Sequence, residues 1–245
     1  MLPWNAEDLT FDESTFSGVG RLFPLPNLVM FPHVMQPLHI FEPRYREMLN
    51  EALDGDGLLA MSVLQGDEDA HRPELCSHVC LGRIVTHHRL DDGHYNILLL
   101  GMRRARIVRE LETGQSFRSA EVELIDDLYP GAGHDGRAEL QRVLTERFGE
   151  SLDGGPAVDD AMRSFLSDEA PLGVLTDLVS FAAPLDVAAK CRLLGENNVD
   201  HRAEWLIRWL EQAHSAHAGK PKPATHPAHD MMAPKGKFPP KFSIN

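Results

Sequence analysis

The sequence predicts an α+β protein in which a β-rich region, residues 21–126, precedes a helical region, residues 127–213. In the first region, apolar and polar residues alternate in short runs, which is typical of strands. Beyond a segment rich in glycine and proline, apolar residues such as Leu140, Leu144 and Phe148 recur at helical spacing. Several short strands with one helix among them favour a closed or nearly closed sheet, because closure leaves no free strand edge.

The β-rich region contains one predicted helix and a clear hairpin signal. The helix is expected over residues 42–53, with Pro43 in its first turn and Gly55 just past its end. The hairpin is expected at Asp91-Asp92-Gly93, between two apolar runs. Strands are expected at 21–25, 34–40, 57–64, 79–90, 94–100, 103–110 and 117–125.

The helical region is expected to contain four or five short helices. The last of them, about residues 200–213, has one apolar stripe, formed by Trp205, Leu206, Trp209 and Leu210. The leader, residues 1–20, is expected to be poorly ordered. The segment 214–245 is rich in histidine, lysine and proline without apolar periodicity, so we expect it to be disordered.

Charge and cysteine content limit the partners and the compartment. The net charge is −13, but from His214 onward five lysines and one acid give +4, which leaves −17 for the preceding residues. Such an acidic body makes nucleic acid an unlikely partner. Three cysteines argue against a disulfide framework and for a reducing compartment. No signal-peptide pattern or long apolar run is present, so we expect a cytoplasmic protein without a membrane partner.

Two motif blocks carry a resemblance to a known family. The first is Pro-Leu-His-Ile-Phe-Glu-Pro-Arg-Tyr at 37–45, preceded by Phe31-Pro32. The second joins Leu-Gly-Arg-Ile-Val at 81–85 to Gly101, Arg104 and Ile107. In these residues the chain resembles the N-terminal substrate-binding domain of Lon proteases, in the form typical of stand-alone members. The resemblance implies a PUA-like β-pseudobarrel with one inserted helix, a C-terminal helical-bundle subdomain and binding of polypeptide.

The motifs of ATPases and common hydrolases are absent from the sequence. There is no G-x-x-x-x-G-K-[ST] phosphate loop, no G-x-S-x-G and no H-E-x-x-H. We therefore expect a non-enzymatic, cofactor-free homologue of part of an ATP-dependent protease, related to proteolysis or quality control. Two alternatives remain open: a small-ligand or RNA binder using the PUA-like cleft, and a hydrolase whose site forms only in space.

The expected partners are unfolded or exposed polypeptide segments and a full-length ATP-dependent protease. The expected site is a concave apolar surface where the barrel meets the helical subdomain, able to accept a strand at a sheet edge or an apolar segment in a groove. Arg44 could instead pair with an acid, and Phe41 and Tyr45 could be core residues. The candidate contacts are Phe31, Pro32, His33, Met35, Phe41, Arg44 and Tyr45.

Two further sets of residues have both a functional and a structural interpretation. Cys76, His78 and Cys80 alternate, but ligands nearly 7 Å apart along a strand suit tetrahedral zinc poorly, so buried thiols are favoured. The arginines 103, 104, 106 and 109 form either a basic patch or cross-strand pairs with acids such as Glu121 and Glu123. Weak candidates for a divalent metal are His214, His217, His226 and His229.

Overall fold

The computed structural model describes residues 11–65, 73–131, 136–152 and 170–218, in which seven strands and five α-helices are found. The strands are β1 (Val19–Leu25), β2 (Met35–Ile40), β3 (Leu58–Gln65), β4 (Glu74–Leu75), β5 (His78–Arg89), β6 (Tyr95–Leu111) and β7 (Arg118–Ile125). The helices are α1 (Pro43–Asp54), α2 (Arg137–Leu152), α3 (Leu172–Ala182), α4 (Val187–Gly195) and α5 (Val199–Ala218).

Five of the strands close into a small barrel, which confirms the predicted closed sheet. Strand order runs β1, β7, β6, β5, β3, and the parallel pairing of β3 with β1 completes the ring. β2 pairs with the first half of the 17-residue β6, and β4 extends the end of β3. The long β6 therefore belongs to the barrel and also to a three-stranded extension, β2-β6-β5.

The barrel interior is narrow, and several of the side chains that fill it are small. Leu22, Leu81 and Val122 share it with alanines, and a Cβ on Gly20 would lie 3.0 Å from that of Ala60. A larger apolar core lies outside the barrel, where α1 and the C-terminal helices pack. The inserted helix forms where predicted, and its buried residues follow the spacing of one helix face: Tyr45, Met48, Leu49 and Ala52.

Two predicted boundaries are wrong. The leader is described from residue 11, where Glu13–Thr15 forms a 3₁₀ turn and Phe11 and Phe16 pack against the barrel cluster. At the other end, α5 continues to Ala218, five residues past the predicted helix end. The helix thus includes His214 and His217, whereas His226 and His229 lie outside the described residues.

A buried cluster of two arginines and two aspartates joins the barrel to the helices. We call Arg104, Asp127, Asp177 and Arg202 the junction cluster. Arg104 on β6 binds Asp177 on α3 with both terminal nitrogens. Arg202 on α5 binds both oxygens of Asp127 at 2.8 Å, and its Nε donates to Thr176 Oγ1 at 3.0 Å.

The junction cluster has no net formal charge, and of its four side chains only that of Asp127, at 24%, is appreciably exposed. Asp177 and Arg202 are fully buried, and Arg104 is 3% exposed. Burial opposes the charge on Asp127, but the guanidinium of Arg202 outweighs it and holds the pKa of Asp127 below its usual value. Burial likewise opposes the charge on Arg104, yet Asp177 raises the pKa of Arg104. At Asp177 burial outweighs the arginines, so the pKa of this carboxyl is raised. The charges of Asp127 and Arg104 are therefore the ones that a partner from another element clearly stabilises.

We expect Arg202→Met to lower the free energy of unfolding by about 3–5 kcal/mol, because it leaves buried aspartate charge uncompensated. Urea unfolding followed by circular dichroism measures this loss. Arg142→Met is the matched control, because Arg142 lies on the exposed face of α2 beside Glu139. The control should unfold close to the wild type, and an equal loss in both variants would contradict a special role for the cluster.

Candidate functional site

The entry into β2 is a strained turn that passes close to β6. His33 has a positive φ of 66°, and its N–H donates to Gly101 O at 2.8 Å, while Gly101 N–H donates to Val34 O at 2.9 Å. His33 and Val34 thus lie opposite the single residue Gly101, as in a β-bulge whose first residue has a left-handed backbone conformation. A Cβ at Gly101 would lie 2.1 Å from Phe31 O. The motif residues Phe31, Pro32 and Gly101 therefore fix where β2 begins.

From this turn onward, the side chains of β2 alternate between the core and solvent. Leu38 and Ile40 are buried, whereas Met35 is 42% and Phe41 49% exposed. On β6, Leu98 and Leu100 lie directly opposite Pro37 and Met35, so they share the exposed side. We call this surface the outer face; it comprises Met35, Pro37, His39, Phe41, Asn96, Leu98 and Leu100.

Aromatic rings border the outer face at its α1 end. The rings of His39 and Phe41 stack with centroids 6.0 Å apart, and His94 meets His39 edge-on at 5.4 Å. His39 Nδ1 is also hydrogen-bonded to Asn96 Oδ1 at 2.8 Å. Phe41 is thus held in place by its neighbours while half of its surface remains open to solvent.

The backbone edge of β2 is less suited to binding than its face. Among the described residues, β2 pairs only with β6. Following the register from the Val34–Gly101 hydrogen bond, Pro37 is at a position whose backbone groups point away from β6. Proline has no N–H there, and Gln36 Nε2 donates to Pro37 O at 3.0 Å. A strand added at this edge would therefore receive no N–H hydrogen bond from Pro37, and the Pro37 carbonyl already accepts one from Gln36.

A cleft of about 810 Å³ lies beyond the outer face, next to the first turn of α1. Arg44 and Tyr45 line it together with residues of the β6–β7 turn, including Phe117 and Arg118. The Arg44 guanidinium lies 4.5 Å from the centre of the Tyr45 ring and pairs with Glu42. Burial raises the pKa of the Tyr45 hydroxyl. Only Glu42 and Pro43 separate this cleft from Phe41 in the sequence.

The structure divides the seven candidate contacts instead of bringing them together. Met35 and Phe41 lie on the outer face, and Arg44 and Tyr45 border the cleft. His33 is exposed in the strained turn. Phe31 and Pro32 are buried and cannot meet a ligand, which corrects their assignment as contacts. The residues that the motifs did not point to are Leu98 and Leu100, whose exposure depends on the pairing of β2 with β6.

A groove is also present where the barrel meets the helices, but half of its lining residues are polar or charged and none of the candidate contacts lines it. We call it the junction groove. Its volume is about 620 Å³. The His78 ring lies against Gly195, where a Cβ would approach Nδ1 to 2.6 Å. The groove is lined on the barrel side by Gln65, Leu75, Cys76, Ser77 and His78, and on the helical side by Ala188, Cys191, Arg192, Gly195 and Glu196.

The arginines of β6 do not form a basic patch. Arg103 pairs with Glu13 and Asp126, Arg106 with Glu123 and Arg109 with Glu121. These pairs agree with the cross-strand interpretation. Arg104 is different, since it belongs to the buried junction cluster.

Cysteine and histidine form no evident metal centre in the part of the chain that the structure describes. Cys76, Cys80 and Cys191 are buried free thiols, and no three ligand-type side chains come close enough to hold an ion there. Cys76 precedes β5, so it does not share a strand with His78 and Cys80. Among the described helices, none is long and apolar enough to span a membrane.

Comparison with known proteins identifies the family. Residues 20–212 match the substrate-binding domain of ATP-dependent protease La (LON). The chain belongs to this family. The Lon protease of Cytophaga hutchinsonii is 22% identical over 209 residues, which cover 84% of this chain and 26% of that protease. The Lon protease of Escherichia coli K12 is 25% identical over 193 residues, covering 78% and 24%. The chain thus spans about a quarter of these relatives, and the matched part is their substrate-binding domain.

Solved structures show the same fold. The N-terminal domain of the Mycobacterium avium complex Lon protease superposes with a TM-score of 0.63 at 18% identity, covering 79% of this chain and 98% of that one. A Lon N-terminal domain protein from Xanthomonas campestris gives a TM-score of 0.55 at 21% identity, covering 78% and 98%. The Lon N-terminal fold is therefore retained here, including the barrel and the helices that follow it.

We expect stability to fall below about pH 6.5 in a manner that depends on His78. Burial in the junction groove lowers the pKa of His78, and Arg106 lowers it further. The unfolded chain then takes up a proton first, so the stability present above the ordinary pKa of 6.5 is lost as the pH falls below it. Urea unfolding at about pH 7.5 and about pH 5.5 should show a smaller change in His78→Gln than in the wild type.

The control for this experiment is His87→Gln, the same substitution at an exposed position of the same strand. An undiminished pH dependence in His78→Gln would show that this imidazole does not cause it. His33, whose pKa is shifted in the same direction, accounts for the dependence expected to remain.

Proposed function

We propose that this chain is a non-catalytic polypeptide-binding module that captures exposed apolar segments on the outer face. The observation that carries the proposal is the half-exposed pair Met35 and Phe41, joined by Leu98 and Leu100 on an ordered sheet. Met35, Pro37, Leu98 and Leu100 form one apolar patch, and the pair His39 and Asn96 separates it from Phe41. Exposed apolar side chains grouped on an ordered sheet are typical of an interaction site. Membership in a family of substrate-binding domains supports the same interpretation.

Binding by the face, rather than by strand addition, follows from the chemistry of β2. Pro37 and the Gln36 side chain remove a donor and occupy an acceptor at the free edge. The outer face offers rigid apolar side chains from two paired strands, which bury apolar area without ordering a loop. Such contacts are tolerant of sequence, since they need apolar side chains and not a defined hydrogen-bond pattern. An unfolded segment with several apolar residues fits this requirement.

The cleft next to α1 extends the proposed site. Arg44 lines the cleft and follows Phe41 by three residues, so a segment that leaves the outer face at Phe41 meets the Arg44 guanidinium. A client with an acidic residue a few positions from its apolar residues could place the apolar residues on the outer face and the acid against Arg44. The role that we infer for the whole chain is that of an adaptor or client binder in proteolysis, delivering polypeptides to an ATP-dependent protease or competing for them.

We expect Met35→Ser and Phe41→Ser each to weaken binding of an unfolded polypeptide about fivefold to thirtyfold, since each removes about 1–2 kcal/mol of apolar contact. The probe is a fluorescently labelled model protein that has been reduced and alkylated so that it cannot fold. Fluorescence anisotropy titrations at low and high salt give the dissociation constants. Affinity should persist at high salt, because the contacts are apolar.

Val108→Ser is the matched control. Val108 is 48% exposed on β6, outside the outer face, and its replacement should leave the affinity unchanged. Equal weakening by Val108→Ser, or wild-type affinity in both outer-face variants, would reject this face as the site. Absence of wild-type binding to the unfolded probe at every salt concentration would reject the function itself.

A further inference from the structure

Two of the three cysteines lie on opposite sides of the junction groove. Cys76 is in the turn between β4 and β5, and Cys191 is on α4. Both line the groove and belong to the same apolar cluster, with 3% and 9% of their surfaces exposed. Cys80 belongs to β5 but does not line the groove. The fold therefore brings together one thiol from the barrel and one from the helical part, 115 positions apart in the sequence.

The surroundings of the two thiols differ. Gln65 Nε2 donates a hydrogen bond to Cys76 Sγ at 3.0 Å. Arg192 and Glu196 both line the groove, so its lining carries one charge of each sign. On the opposite wall, burial and the adjacent Cys76 thiol raise the pKa of Cys191. Cys76 is thus the sulfur that an amide donor holds in place, with the Cys191 thiol beside it.

We propose that Cys76 and Cys191 form an oxidation site in which a hydroperoxide drives a disulfide between the barrel and the helical part. The Cys76 sulfur attacks the distal peroxide oxygen and loses its proton, the O–O bond breaks, and the leaving oxygen takes up a proton to give water or an alcohol. The resulting sulfenic acid is then attacked by the Cys191 sulfur, which loses its proton as the hydroxyl of the sulfenic acid departs as water. The net change is two thiols and one hydroperoxide to one disulfide, one water and one water or alcohol.

The disulfide would link the barrel covalently to the helical part, which otherwise contact each other through packing and the junction cluster. A link across more than a hundred residues strongly restricts the unfolded chain, so it should raise the unfolding temperature by about 10 °C. It also crosses the junction groove, whose two walls carry the cysteines. Oxidation would therefore hold the barrel and the helices together under conditions that damage other proteins. This inference is independent of binding at the outer face.

The test is treatment of the whole chain with hydrogen peroxide, followed by alkylation of free thiols and non-reducing peptide mapping. We expect one Cys76–Cys191 cross-link in the monomer, reversed by a dithiol reductant, and a matching rise in unfolding temperature. The Cys80→Ser variant should form the same cross-link. Cys191→Ser should form no internal disulfide, and a dimedone adduct should appear on Cys76.

Several results would overturn the proposal. One is three alkylatable thiols in the wild type after peroxide treatment that fully oxidises a free cysteine peptide. Another is an internal disulfide that includes Cys80, or one that forms only between molecules. If Cys191→Ser does not fold, Cys191→Ala and the wild-type peptide map still decide the matter, because the map identifies the paired residues directly.

Discussion

The junction cluster is the interaction on which the rest of this structure depends. Two guanidinium groups and two carboxylates come from β6, the segment after β7, α3 and α5, and they meet where the barrel touches the helices. Charged groups can be buried in this way only if each finds its partners in fixed geometry. The cluster thereby sets the position of the helices on the barrel more narrowly than apolar packing would.

Neighbouring residues are adapted to the cluster. A Cβ on Gly173 would lie 2.4 Å from Asp127 Oδ2 and 2.5 Å from the Tyr129 hydroxyl, so α3 can approach only with glycine there. Thr176 uses its hydroxyl twice, donating to Gly173 O at 2.7 Å and accepting from Arg202 Nε. Because α4 and α5 both contact α3, the position of α3 also determines theirs. The junction groove and its two cysteines are consequences of this arrangement.

Local pattern predicted the elements of the fold well, and its limits have physical causes. The hairpin at Asp91-Asp92-Gly93 and the helix after Phe41 are encoded by neighbouring residues, and both formed as expected. The parallel pairing of β1 with β3 and the pairing of Arg104 with Asp177 depend on residues far apart in the chain, for which a single sequence gives no signal. Arg104 was grouped with the surface arginines for this reason, since its burial is decided by α3, 73 residues away.

The same distinction explains what could be predicted of the candidate site. The motif around Phe41 points to the region that includes the outer face, but a motif does not separate residues that support a surface from residues that form it. Phe31 and Pro32 support it, because their backbone crosses Gly101 and sets the register of β2. That register turns Met35 outward opposite Leu100, turns Phe41 outward at the other end of β2 and leaves Leu38 inside. A shift of one residue would reverse the two sides, so the buried motif residues determine the exposed face without touching a ligand.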